Sequence, residues 1–77
     1  MTVYDLIEKN FYVDSTTMQL FGDKEDAIAE MLNRESKYMK DCDLDMLLEE
    51  NSDTKITLVT KEGKVYTVMK IIERELL

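Results

Sequence analysis

Six carboxylates, Asp41, Asp43, Asp45, Glu49, Glu50 and Asp53, crowd a thirteen-residue stretch with no basic residue among them. The first three have the alternate spacing of a calcium loop. Such a loop also needs glycine at its sixth position for the sharp turn and glutamate at its twelfth as a bidentate ligand. Met46 and Ser52 stand there instead, so no specific metal site is expected, only loose association with divalent ions. Helix starts favour Asp, which accounts for one or two of the six but not for the missing counter-charges. Cys42 is the one thiol. The aspartates on either side of it disfavour the thiolate and make it a poor nucleophile. The chain has no histidine, which removes histidine bases, Ser-His and Cys-His dyads, and imidazole ligands. Two glycines, Gly22 and Gly63, are too few for a phosphate-cradling loop. With so many carboxylates, close pairs arise from composition alone. The expectation is a protein that is not an enzyme and uses no cofactor.

The charge is concentrated. Residues 23–53 hold eleven Asp or Glu against four Lys or Arg, equal to the net −7 of the whole chain, because the flanking segments cancel. Carboxylates on helices and loops, at irregular spacings of roughly 5–10 Å, can fill a cationic groove that otherwise holds DNA, where one charge recurs per ~1.7 Å of duplex. Asp23, Glu25, Asp26 and Glu30, with the 41–53 cluster, would form that face. The competing reading is a solvated acidic surface that serves solubility. Lys55, Lys61, Lys64, Lys70 and Arg74 make the C-terminal part mildly basic. That is too weak for direct nucleic-acid binding, but enough to meet the acidic half of a second copy.

Seventy-seven residues make one domain, 1–77, near the lower limit of independent folding. At 44% hydrophobic the chain can form a core. No apolar run is long enough to cross a bilayer, and the first residues lack the pattern of a secretory signal. A single cysteine fits a reducing compartment, so a cytoplasmic location is expected.

The elements follow from periodicity. Thr2 as a cap with Asp5 three residues on, and Val3, Leu6 and Ile7 on one face, predicts a short helix ending near Asn10. Alternation predicts a strand at 16–21, with 11–15 as an extended lead-in or part of it. Asp23 as cap, Glu25 and Asp26 in the first turn, and the stripe Ala27, Ile28, Met31, Leu32, Tyr38, Met39 predict a helix over 24–40. Leu44, Leu47 and Leu48 suggest a second short helix ending at Asn51. Strands at 54–60 and 64–72 flank a turn in which Gly63 takes a positive φ. Residues 73–77 read as a frayed strand end or a helical turn. The tyrosines, Phe11 and Phe21 are assigned to core and sheet faces, one or two of them as interface anchors, and Met18, Met31, Met39, Met46 and Met69 to packing. A faint echo relates Leu6–Asn10 before Thr17–Phe21 to Leu47–Asn51 before Lys55–Val59, each read as a helix end followed by a strand. The fold class is α+β: a small antiparallel sheet of about three strands packed against one long and one or two short helices.

The opening Met1-Thr2-Val3-Tyr4-Asp5-Leu6-Ile7-Glu8-Lys9-Asn10 looks like the start of many small bacteriophage and mobile-element proteins. Size, acidity and a helix-plus-hairpin plan are also similar to phage inhibitors of host defence, including anti-CRISPR proteins. The resemblance implies a protein that occludes a nucleic-acid-binding site on a host enzyme in the bacterial cytoplasm, some members acting as DNA mimics. It carries over no functional residue. The expected partner is therefore a basic nucleic-acid-binding protein, such as a CRISPR effector or another host defence enzyme. The alternatives are a homo-oligomeric assembly protein using the amphipathic helix or a free sheet edge, and an antitoxin-like protein.

Overall fold

A computed structural model describes residues 1–41, 46–51, 54–60 and 62–76, with side chains for 1–40, 54–60 and 62–76. The chain runs β1 (Thr2–Asn10), β2 (Ser15–Phe21), α1 (Lys24–Asp41), β3 (Met46–Asn51), β4 (Lys55–Thr60) and β5 (Val65–Glu75). The strands form one five-stranded sheet in the order β2-β1-β5-β4-β3, antiparallel throughout. With α1 laid on one face, this is the α+β class the sequence predicts, with more strands and fewer helices.

Several expectations are corrected. The opening segment is a strand, not a short helix, and it lies at the centre of the sheet between β2 and β5. The helical spacing of Val3, Leu6 and Ile7 misleads because β1 carries apolar residues on both faces, Leu6 under α1 and Val3 and Ile7 among the side chains of β2 and β5 on the other. The leucine-rich segment at 46–51 is also a strand, paired along β4 from Met46↔Thr60 to Asn51↔Ile56. A short apolar run fits either period, and here pairing with β4 decides. The two arms of the internal echo are accordingly hairpins, β1-β2 and β3-β4, rather than helix-then-strand units. Residues 11–14 form a turn. Strand β5 continues to Glu75, so residues 73–75 belong to the strand and form no helical turn, and Leu77 lies outside the described residues.

Helix α1 begins as its sequence predicts. Asp23 precedes it and its backbone carbonyl accepts the Ala27 N–H at 3.3 Å, and Glu25 and Asp26 lie in the first turn. Ala27 and Met31 are fully buried against Leu6, Ile56, Leu58, Met69 and Ile71. Ile28 and Tyr38 pack at the margin of this core, whereas Leu32 and Met39 face solvent. The helix crosses β1, β2 and β5. The β4-β5 turn matches its expected chemistry: Gly63 has φ 83°, and its N–H donates to the Thr60 carbonyl at 2.9 Å. The register shifts between Leu58 and Val59, leaving Tyr66 as the extra residue of a β-bulge.

Candidate functional site

The feature that sequence reading missed lies between α1 and the sheet. Along β1, Tyr4, Leu6, Glu8 and Asn10 share the helix-facing side, so Glu8 is drawn into the interior as a charged residue and needs partners. Arg34 Nη1 donates to Glu8 Oε1 at 3.1 Å, and the Tyr38 hydroxyl donates to Oε2. The Thr67 hydroxyl lies 3.4 Å from Glu8 Oε2 and 3.0 Å from the Lys9 carbonyl, so its single proton serves the nearer carbonyl. Arg34 also donates to Gln19 Oε1 at 2.7 Å and to Glu30 Oε2 at 3.3 Å. One guanidinium thus ties β1, β2 and its own helix together.

Asn10 continues the network. Its Nδ2 donates to the Tyr38 hydroxyl at 3.3 Å. Its Oδ1 accepts the N–H groups of Tyr12 and Val13 at 2.9 and 3.2 Å, which folds the β1-β2 turn. The phenol of Tyr38 is held above its ordinary pKa, first by burial and then by its bond to Glu8. Such a phenol stays protonated at neutral pH and acts as a donor, not a base. Glu8 has its charge matched by Arg34. The arrangement therefore locks α1 to the sheet.

Of the sequence-predicted binding residues, Asp23, Glu25 and Asp26 are exposed at the start of α1. Among the described residues, none of their carboxylates enters an ion pair or side-chain hydrogen bond. Glu30 does not join them as a free charge, because Arg34 and Asn33 both donate to it. For Asp41 the structure describes only the backbone, as the last residue of α1, and for Glu49 and Glu50 only their place in β3. Asp43, Asp45, Asp53 and Cys42 lie outside the described residues, as does the alternate-aspartate spacing considered for calcium. Among the described residues, no group of three His, Cys, Asp or Glu side chains could hold a metal ion, and no helix is long and apolar enough to cross a membrane.

Two further surfaces stand out. At one end, Phe11 and Tyr12 from the β1-β2 turn and Glu62, Lys64, Val65 and Tyr66 from the β4-β5 hairpin line an open cleft of about 440 Å³. The bulge aims Tyr66 there, stacked on Tyr12 at 5.5 Å between ring centroids and edge-on to Tyr38 at 5.7 Å. Phe11 and Tyr12 are exposed rather than core residues. The second surface is the sheet face away from α1, where register brings Val3 beside Arg74, Asp5 beside Ile72 and Leu20, and Ile7 beside Lys70 and Met18. Asp5 is buried there. Arg74 Nε donates to its Oδ2 at 2.8 Å, while Oδ1 has no hydrogen-bond partner. Met18, expected to pack, is 61% exposed, and Leu20 on the same face is 55% exposed.

No family model, curated protein or solved structure matches this chain.

Proposed function

We propose that this protein is a non-enzymatic acidic binding protein that docks on a basic, nucleic-acid-handling partner and blocks its site, in the manner of phage-encoded inhibitors such as anti-CRISPR proteins. The observation that carries this reading is the trio Asp23, Glu25 and Asp26, exposed at the start of α1, with carboxylates that have no ion-pair or side-chain hydrogen-bond partner among the described residues. The 41–53 acid cluster extends the same charge in sequence. Because the Glu8–Arg34–Tyr38 network fixes α1 on the sheet, the trio is held in place before a partner arrives, which lowers the ordering cost of binding. Binding of this kind is steered by charge, fast at low salt, and weakened as salt screens the contact.

The test is a tagged pull-down from nuclease-treated bacterial lysate, eluted by a salt gradient and read by mass spectrometry. The wild-type protein should recover a basic nucleic-acid enzyme that leaves at moderate salt. Reversing Asp23, Glu25 and Asp26 to Lys, and separately Asp41, Asp43, Asp45, Glu49 and Glu50, should remove that partner. The helix-start variant should melt several degrees lower but still fold, since loss of favourable helix-start charge costs about 0.3–1 kcal/mol per residue and each kcal/mol shifts a domain of this size by roughly 4–8 °C. Unchanged recovery by both variants would sink the reading. Glu30→Lys is not a clean probe, because it also removes an Arg34 contact.

A further inference from the structure

The two edges of the sheet are built differently. At the β3 edge the register shifts between Leu48 and Glu50, and the strand sequence carries Glu49 and Glu50. A bulge and charges are two of the devices by which edge strands avoid pairing with other chains. The β2 edge has neither. Ser15–Phe21 contains no charged residue and no proline in a chain that is 35% charged. Its seven residues pair with β1 without a register shift. Every residue from Ser15 to Leu20 is exposed, and among the described residues nothing pairs with the outer side of the strand.

We propose that β2 is a self-association edge, pairing antiparallel with β2 of a second copy about a two-fold axis at Met18. The result is a continuous ten-stranded sheet with both helices on one side. The strand is complementary to itself in this register. Met18 meets Met18, Thr16 meets Leu20, Thr17 meets Gln19, and Ser15 meets Phe21. Thr16, Met18 and Leu20 share the face away from α1, and Ser15, Thr17, Gln19 and Phe21 share the helix side, so each face meets its own kind. No charge opposes another across the seam, although each copy carries −7. The same neutrality argues for a second copy over a charged partner, which would find no counter-charge on this strand. Pairing also covers Met18 and Leu20, the most exposed apolar side chains of the strand. A seven-residue seam is smaller than a standard interface of about 1,600 Å², so the dimer is expected to be weak and to dissociate on dilution.

This contact is independent of the acidic docking face, and salt separates the two. Docking on a basic partner weakens as salt rises, whereas two copies of like net charge associate more tightly when their repulsion is screened.

The experiment is sedimentation equilibrium on the untagged protein over about 1–200 µM, at low and high salt. The expected result is a mass rising from 9.1 kDa towards twice that value, more readily at high salt. Met18→Lys sets two ammonium groups face to face on the axis and should weaken the dimer at least tenfold, with circular dichroism unchanged. In a Cys42→Ser background, Met18→Cys should cross-link under mild oxidation, since opposed Cα atoms in antiparallel strands lie about 4.5–5.5 Å apart. Val65→Cys, exposed but on the hairpin, should not. If Met18→Lys fails to fold, the cysteine pair decides. A monomer at every concentration overturns the proposal. So does a dimer that survives Met18→Lys or does not cross-link through position 18.

Discussion

Glu8 and Asp5 alternate with apolar neighbours on a central strand, and each is buried by a different face of the sheet. Their charges are matched by residues remote in sequence, Arg34 for Glu8 and Arg74 for Asp5. An unmatched carboxylate in either place would cost several kcal/mol. Tyr38 adds a test at this scale. Its raised pKa, caused first by burial and then by the Glu8 bond, means that the folded state holds the phenolic proton more tightly than the unfolded chain does. That contribution is complete below the ordinary tyrosine value of about 10 and is lost as pH rises through the higher folded value. In urea unfolding, Tyr38→Phe should therefore cost about 1–2 kcal/mol at pH 7, where it removes a hydrogen bond to a charged, buried acceptor. The difference from wild type should shrink above about pH 10. A constant difference across that range would mean that the phenol does not titrate differently in the two states.

At the scale of elements, local signals succeed where local physics governs. Helix α1 has its cap position, its acidic first turn and its stripe in one continuous segment. The β4-β5 hairpin has Gly63 at a positive φ that other residues adopt only with strain. Gly63→Ala should cost about 1 kcal/mol in thermal or chemical unfolding, whereas Gly22→Ala, at a glycine without positive φ and with open space around it, should be nearly neutral. Equal costs at the two positions would contradict the turn geometry. Strand β1 resisted the same reasoning. Its two buried faces blur the two-residue period, and Asp5 and Glu8 look like solvent residues until Arg74 and Arg34 are placed beside them. The β3 segment failed for a related reason, since a pair of adjacent leucines fits a helix or a strand and its partner β4 lies further along the chain.

The whole molecule is open on one side. Its radius of gyration is 12.9 Å, above the ~11.5 Å of a compact domain of this length, as suits a single helix laid on part of a five-stranded sheet. Net charge acts at this scale too. With a net charge of −7, concentrated in residues 23–53, self-repulsion opposes the compact state, and added salt should raise the melting temperature between about 10 and 300 mM by screening it. A melting temperature that falls with salt would show that the Glu8–Arg34 and Asp5–Arg74 pairs outweigh the repulsion. Of the candidate binding face, the sequence places Asp23, Glu25 and Asp26 together at the start of the helix. It could not show that Glu30, one turn further on, is spoken for by Arg34, since that depends on Arg34 also reaching Glu8 and Gln19 from the helix.

By itself the sequence determined what is local or compositional: the α+β class, helix α1, the C-terminal hairpin, the absence of imidazole chemistry and the bias of charge towards 23–53. Caps, turns and periodicity act over a few residues, so they can be read along the chain. Tertiary structure alone decided that the first nine-residue element is a central strand, that Glu8, Arg34, Tyr38 and Asn10 form one buried network, and that β2 is an edge without charge while β3 is an edge with it. Each of these depends on which strands become neighbours. Strand pairing is settled by contacts between residues up to about seventy positions apart, where the energy of burying a face outweighs local preference.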